Sequence, residues 1–259
     1  MGDILIGTSG FSFDDWVGTI YPAGIRKQEM LPYYERTLGF KALEVNYTYY
    51  SMPSAKTMES FAKRTSQDFA FVVKAYRGMT HEMGDNVKQL CKRFKEGVKP
   101  LNGNMKAILF QFPYMFVPDT EHMDYLRILR EEFSGYESIV EFRNAKWFDD
   151  RYVEMLKELA FGYCVVDEPK LKGLLPFSPQ LTSETGYFRF HGRNTSWFKA
   201  TLDVRYNYLY SGKELEEFVV PVKDIASRAK TTYLFFNNCH AGHAAKNALM
   251  MIDILKSNR

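Results

Sequence analysis

The sequence predicts an α/β fold: a somewhat irregular (β/α)8 barrel of the TIM type, with residues 1–259 forming a single domain. Three observations predict it. Eight short apolar runs punctuate the chain, most intervals between them repeat apolar side chains at helical spacing, and 259 residues suit one closed barrel better than an open doubly wound sheet. No linker, low-complexity tract or clear repeat divides the chain. With 46% hydrophobic and 16% aromatic residues it can bury a large core, which excludes disorder.

The strands are read at residues 4–8, 42–46, 69–74, 106–112, 138–142, 163–167, 186–191 and 233–236. The first is followed by the aromatic loop FSFDDWVGTIYP. The second places Glu44 and Asn46 two apart, hence on one face. Lys74 closes the third and Gln111 the fourth. The fifth supplies Glu141 and Arg143, again on one face, and the sixth ends in Asp167 and Glu168. The eighth ends in Asn237 and Asn238.

Helical faces are clearest for Met123, Leu126, Leu129 and Phe133, for Tyr152, Leu156, Leu159 and Ala160, and for Ala244, Ala248, Met251 and Leu255. Long loops are expected after strands 1, 6 and 7. The stretch EPKLKGLLPFSPQLTSET carries three prolines and no helical pattern, and WFKATLDVRYNYLYS is rich in Trp, Tyr and Arg. Helical spacing resumes near Glu214, where Pro221 either interrupts that helix or starts a second one.

The seventh run, YFRFHGRN, alternates Phe188 and Phe190 with Arg189, His191 and Arg193. So much charge on a mostly buried strand is costly unless it is compensated. Either this face meets an anionic ligand, or carboxylates inside the barrel pair with it. In NNCHAGHAAKNA a helix begins through small residues at Ala241 and Gly242. Exposed amides at a helix start bind anions, and barrels often hold phosphate between the loops after strands 7 and 8. Those loops are residues 192–194 and 240–243 here. The expectation is an oxyanion near Arg189, His191 and Gly242, with Arg193 as a bidentate donor. The alternative is a helix start of small residues chosen only for packing.

Several chemistries are excluded or left open. No G-x-S-x-G, P-loop, G-x-G-x-x-G or H-E-x-x-H pattern occurs. A carboxylate pair such as Glu44 with Glu141 would serve glycoside hydrolysis at the right separation. No cofactor is predicted. A divalent metal on Glu44, Glu141, Asp167 and His191 is not excluded, although their basic neighbours would repel a cation. Lys74, set among Val72 and Val73, is either a lysine of lowered pKa able to form a Schiff base or the counterion of Glu44.

The net charge of +3 permits an anionic partner without demanding nucleic acid. Cys91, Cys164 and Cys239 form no C-x-x-C pair, so neither a disulfide framework nor a zinc knuckle is supported and a reducing cytoplasm fits best. No signal peptide, myristoylation motif or bilayer-spanning run is read, so no membrane partner is expected.

The stretches GTSGFSFDDWVGTIYP, LEVNYTYYSMPS, FVVKA, QFP, VEFRNAKWF, VVDEP, YFRFHGRN and FFNNCHAGHAAKNA together resemble a bacterial and archaeal family, domain of unknown function 72, also called YecE-like. The resemblance spans nearly the whole chain and is weakest between Arg77 and Gly103. It implies a TIM-type barrel and delivers no reaction or catalytic set.

On the physical grounds above, the catalytic candidates are Glu44, Lys74, Glu141, Asp167 and His191. The anion-binding candidates are Asn46, Gln111, Arg143, Arg189, Arg193, Asn237 and Gly242. The expected function is an enzyme, a hydrolase or lyase, acting on a sugar phosphate, a nucleic-acid phosphodiester or another anionic substrate at the mouth of the barrel. One alternative is a nucleic-acid-binding protein that stacks bases on Trp16, Trp147, Trp197, Tyr206, Tyr208 and Tyr210 beside Lys199 and Arg205. The other is a barrel that binds a protein partner through its aromatic loops.

Overall fold

The computed structural model describes residues 2–198 and 201–258, in which eight parallel strands close on themselves in chain order. One half holds β1 (Asp3–Ser9), β2 (Ala42–Val45), β3 (Ala70–Lys74) and β4 (Met105–Gln111). The other holds β5 (Ser138–Glu141), β6 (Gly162–Asp167), β7 (Thr185–Phe190) and β8 (Thr231–Phe236). β8 returns to β1 with Asp3 opposite Thr231 and Thr8 opposite Phe236, which removes the edge an open sheet would expose. Every strand lies within two residues of its expected limits.

Helices cover the outside. After β1 comes α1 (Lys27–Arg36); the single turn α2 (Tyr47–Tyr50) and α3 (Ala55–Arg64) follow β2. α4 (Val87–Val98) follows β3, α5 (Thr120–Glu132) follows β4, and α6 (Asp150–Glu158) follows β5. Beyond β7 lie α7 (Leu202–Arg205), α8 (Gly212–Glu216) and α9 (Val219–Arg228), and α10 (His243–Ser257) closes the chain. Side-chain oxygens of Ser54, Asp119 and Asp149 cap α3, α5 and α6 by accepting amide hydrogens of the first turn. Pro221 sits in the first turn of α9, where its missing N–H leaves no bond unmade, so it helps to start a second helix and does not interrupt one. Among the described residues no helix is long and apolar enough to cross a membrane.

The irregularities fall where they were expected. Residues 168–184, between β6 and β7, contain no helix. That segment is nonetheless tied down: the Ala145 amide donates to Gly173 O at 2.8 Å and the Leu175 amide to Arg143 O at 3.1 Å. The loop after β1 folds inward because Trp16 is fully buried and its indole N–H donates to Cys239 O at 2.7 Å. After β7, Gly192 adopts φ +88° beneath Tyr208, where a Cβ would stand 2.6 Å from the tyrosine Cβ.

Alternation along β7 sorts its side chains. Phe190 points outward onto Phe218, with ring centroids 4.8 Å apart. Tyr187 and Arg189 point inward and reach across the barrel to Glu44 of β2. The upper interior of this barrel is therefore ionic.

Candidate functional site

Five charged side chains from four strands and their ends form a ladder. Arg189 Nη2 lies 2.6 Å from Glu44 Oε1, and its Nη1 lies 2.6 Å from Glu141 Oε2. Arg143 continues the alternation, with Nη2 2.7 Å from Glu141 Oε1 and Nη1 2.6 Å from Glu168 Oε2. Glu44 and Glu141 are wholly shielded from solvent, so charge-assisted hydrogen bonds must replace the hydration they lose. The Tyr187 hydroxyl donates to the remaining Glu44 oxygen at 2.7 Å. Burial alone would raise the Glu141 carboxyl, but Arg143 and Arg189 outweigh it and hold the group well below the carboxylate range. Glu168 goes the other way: burial, with Glu141 nearby, lifts it to about 7 despite Arg143.

Above the ladder a cavity of about 1230 Å³ opens at the C-terminal ends of the strands. Seven lysine and arginine side chains line it, against two carboxylates, Asp15 and Glu44. Ten Phe, Tyr and Trp side chains complete the wall. The guanidiniums of Arg143 and Arg205 lie 5.6 and 5.4 Å from the Trp197 ring. Lys74 Nζ donates to Gln111 Oε1 at 2.9 Å and stands 4.5 Å from the Tyr49 ring centroid. Burial, reinforced by Arg189, lowers Lys74 to about 7. His81, edge-on to the Tyr49 ring at 5.0 Å, is lowered to about 4 by burial and by Lys74, so it is neutral at physiological pH.

The chain matches the family described as "Protein of unknown function DUF72" over residues 5–259. The chain belongs to the DUF72 family. It is 32% identical to the UPF0759 protein YunF of Bacillus subtilis, over 97% of this chain and 94% of that protein. A crystal structure of a DUF72 family protein from Thermotoga maritima is 41% identical and superposes with a TM-score of 0.92 over 98% of this chain and 99% of that one. A DUF72 family protein from Enterococcus faecalis, 28% identical, superposes with a TM-score of 0.87 over 98% and 95%.

In this DUF72 barrel, Glu44, Asn46, Lys74, Gln111, Arg143, Arg189 and Asn237 all line the cavity, as one convergent site requires. Glu141, Asp167, His191, Arg193 and Gly242 do not, for reasons of packing. Glu141 lies within the ladder, so it does not face Glu44 across a substrate: the Arg189 guanidinium bridges the two carboxylates. His191 is fully buried, with Nδ1 3.0 Å from Asn237 Nδ2 and Nε2 3.3 Å from Glu141 Oε1. Burial and Arg143 lower it to about 3, so it stays neutral.

The anion site expected beside Gly242 is corrected. Gly242 takes φ +76°, and a Cβ there would meet Ile20 at 2.6 Å, so the loop after β1 covers it. The neighbouring Ala241 amide donates to Asp15 Oδ2 at 2.6 Å, an anion the chain supplies itself. On the other loop the Gly192 amide donates to the Tyr210 hydroxyl, and Arg193 Nε lies 3.0 Å from Asp167 Oδ2 while its Nη2 reaches Glu217. The phosphate-binding loops of the sequence reading are thus closed by internal partners.

Two further expectations change. Lys74 is not the counterion of Glu44, because Arg189 takes that carboxylate. The stacking surface loses Trp16, Trp147 and Tyr210, all buried, while Trp197, also buried, stays in the cavity wall; the Trp147 indole N–H donates to Phe116 O at 2.7 Å. Lys199 lies outside the described residues. Among those residues, no three His, Cys, Asp or Glu side chains are arranged to hold a metal ion. Sequence reasoning passed over His81, Tyr49, Arg64 and Arg77, which also line the cavity; their signal was position shortly after strands 2 and 3, or on the helix between them.

Proposed function

We propose that this protein is an enzyme acting on a small anionic substrate such as a sugar phosphate, held in the C-terminal mouth of the barrel. The observation that carries this reading is the lining of one cavity: seven cationic side chains, two carboxylates, and a lysine within it that has no carboxylate within 4 Å among the described residues. Lys27, Arg77, Arg143 and Arg189 are paired with carboxylates, but among the described residues Arg64, Lys74 and Arg205 have none within 4 Å, and an unneutralised cation in a low-dielectric pocket stabilises a bound anion more than the same charge does on a surface. With its pKa near 7, Lys74 is divided between ammonium and amine at neutral pH, which suits a group that gives or takes a proton. Glu44 completes the floor as the carboxylate nearest the cavity in the ladder.

Calorimetric titration with inorganic phosphate and with a sugar phosphate tests the reading. Saturable one-to-one binding that weakens as ionic strength rises is expected. Heats indistinguishable from dilution at low salt would remove it.

A further inference from the structure

We infer that Lys74 is a nucleophile, joining the carbonyl carbon of an anionic aldehyde or ketone as an imine in the mouth of the barrel. This rests on the anionic-substrate reading and specifies both the substrate class and the bond formed.

A lysine that serves structure inside a barrel is gripped by a carboxylate, since an isolated buried ammonium is costly. Here the nearby carboxylates are committed elsewhere. Glu44 and Glu141 are held by Arg189, and Glu141 is shared with Arg143. Among the described residues the Lys74 amine keeps one polar partner, Gln111 Oε1 at 2.9 Å. That contact orients the amine without neutralising it, and leaves its lone pair for the cavity. The Tyr49 ring, 4.5 Å from Nζ, closes one side. The group is thus held in place, partly reachable from the cavity, and unpaired.

The electrostatics favour the same role. The charged and titratable groups facing Lys74 are Glu44 of β2, Glu141 and Arg143 of β5 and its end, Arg189 of β7, and His81 beyond β3. Burial, with Arg189, lowers the amine to about 7, so a large share is unprotonated at neutral pH. The amine lone pair attacks the carbonyl carbon, and a C–N bond forms as the C=O π pair moves to oxygen, which takes a proton from solvent at the open mouth. Nitrogen then gives up a proton, a second proton reaches the hydroxyl, and the C–O bond breaks with loss of water. As water leaves, the nitrogen lone pair forms the C=N bond and gives the iminium directly, with one proton taken up overall, and no oxidant or reductant enters. The cations of the wall hold the anionic end of the substrate during these steps.

The test uses pyridoxal 5′-phosphate as an anionic aldehyde probe on the full chain, followed by borohydride reduction and peptide mass mapping. The expected result is a reduced adduct on Lys74, formed on the order of a hundredfold faster at pH 7 than on exposed lysines. Excess inorganic phosphate should slow it. Lys74→Arg and Lys74→Gln should lose that adduct and keep the circular dichroism of the wild type. Adducts confined to surface lysines, in protein that still binds inorganic phosphate, would overturn the imine and leave the anionic reading standing. Absence of phosphate binding would remove both. Mapping the wild type decides the matter even if a variant does not fold.

Discussion

Two sets of cationic side chains meet in this barrel. Arg189 and Arg143 are each gripped by two carboxylates in the ladder, whereas among the described residues the Lys74 amine has a single neutral partner, Gln111. All three contribute to the wall of the same cavity. The difference teaches that a charge's partner, and not its type or position on a strand, separates scaffold from chemistry. A paired guanidinium replaces lost hydration and fixes its neighbours; an unpaired amine retains energy that a ligand can release.

The most severe way to break this contrast is Arg189→Ala. It leaves Glu44 and Glu141 buried without their shared partner, so the unfolding free energy in urea should fall by about 3–5 kcal/mol. A loss under about 1 kcal/mol would mean that the ladder is not what holds the layer together. Gly242→Ala sharpens the comparison from outside the cavity. Its left-handed backbone and the contact with Ile20 should cost about 1–3 kcal/mol of stability, with phosphate affinity unchanged. Weakened binding at full stability would return the anion site to the start of α10.

Lys74→Met should behave in the reverse sense. Phosphate affinity should drop tenfold or more, about 1.4 kcal/mol, while stability at pH 7 holds because no ion pair is lost. The same pair of proteins carries a pH signature. Between about 7 and the ordinary lysine value the native state has shed a proton that the unfolded chain still holds, so the wild type gains stability relative to Lys74→Met as pH rises through that window. A difference independent of pH there would show that Lys74 has an ordinary pKa. The smallest effect is expected for Asn237→Ala, which removes the donor to His191 Nδ1 and should cost about 1 kcal/mol by thermal unfolding.

Much of the scaffold was legible along the chain. Apolar runs at period two and intervening faces at period 3.6 located all eight strands and α5, α6 and α10, because those periods follow from backbone geometry alone. α4 was not singled out, although Leu90, Cys91, Phe94 and Val98 share one buried face, since four lysines and arginines interleave with them. Seven of the twelve candidate site residues reached the cavity wall; the polar strand ends were a sound guide to the mouth. They were a poor guide to partners. Asp167 and Arg193, read as acid–base and anion-binding groups, bond to each other, and Asp167 also accepts from the Tyr210 hydroxyl on a loop more than forty residues further on.

The alternation in YFRFHGRN showed by itself that one face of β7 is charged, and residue count and strand number showed by themselves that the chain closes into a barrel, because both rest on local geometry and excluded volume. Which charges neutralise which was decided only in three dimensions. Arg189 had Glu44, 145 positions earlier, Glu141 or a ligand to choose among, and sequence spacing carries no information about Coulomb distance. Closure of the barrel brings both carboxylates to 2.6 Å from that guanidinium, and so leaves Lys74 without either of them.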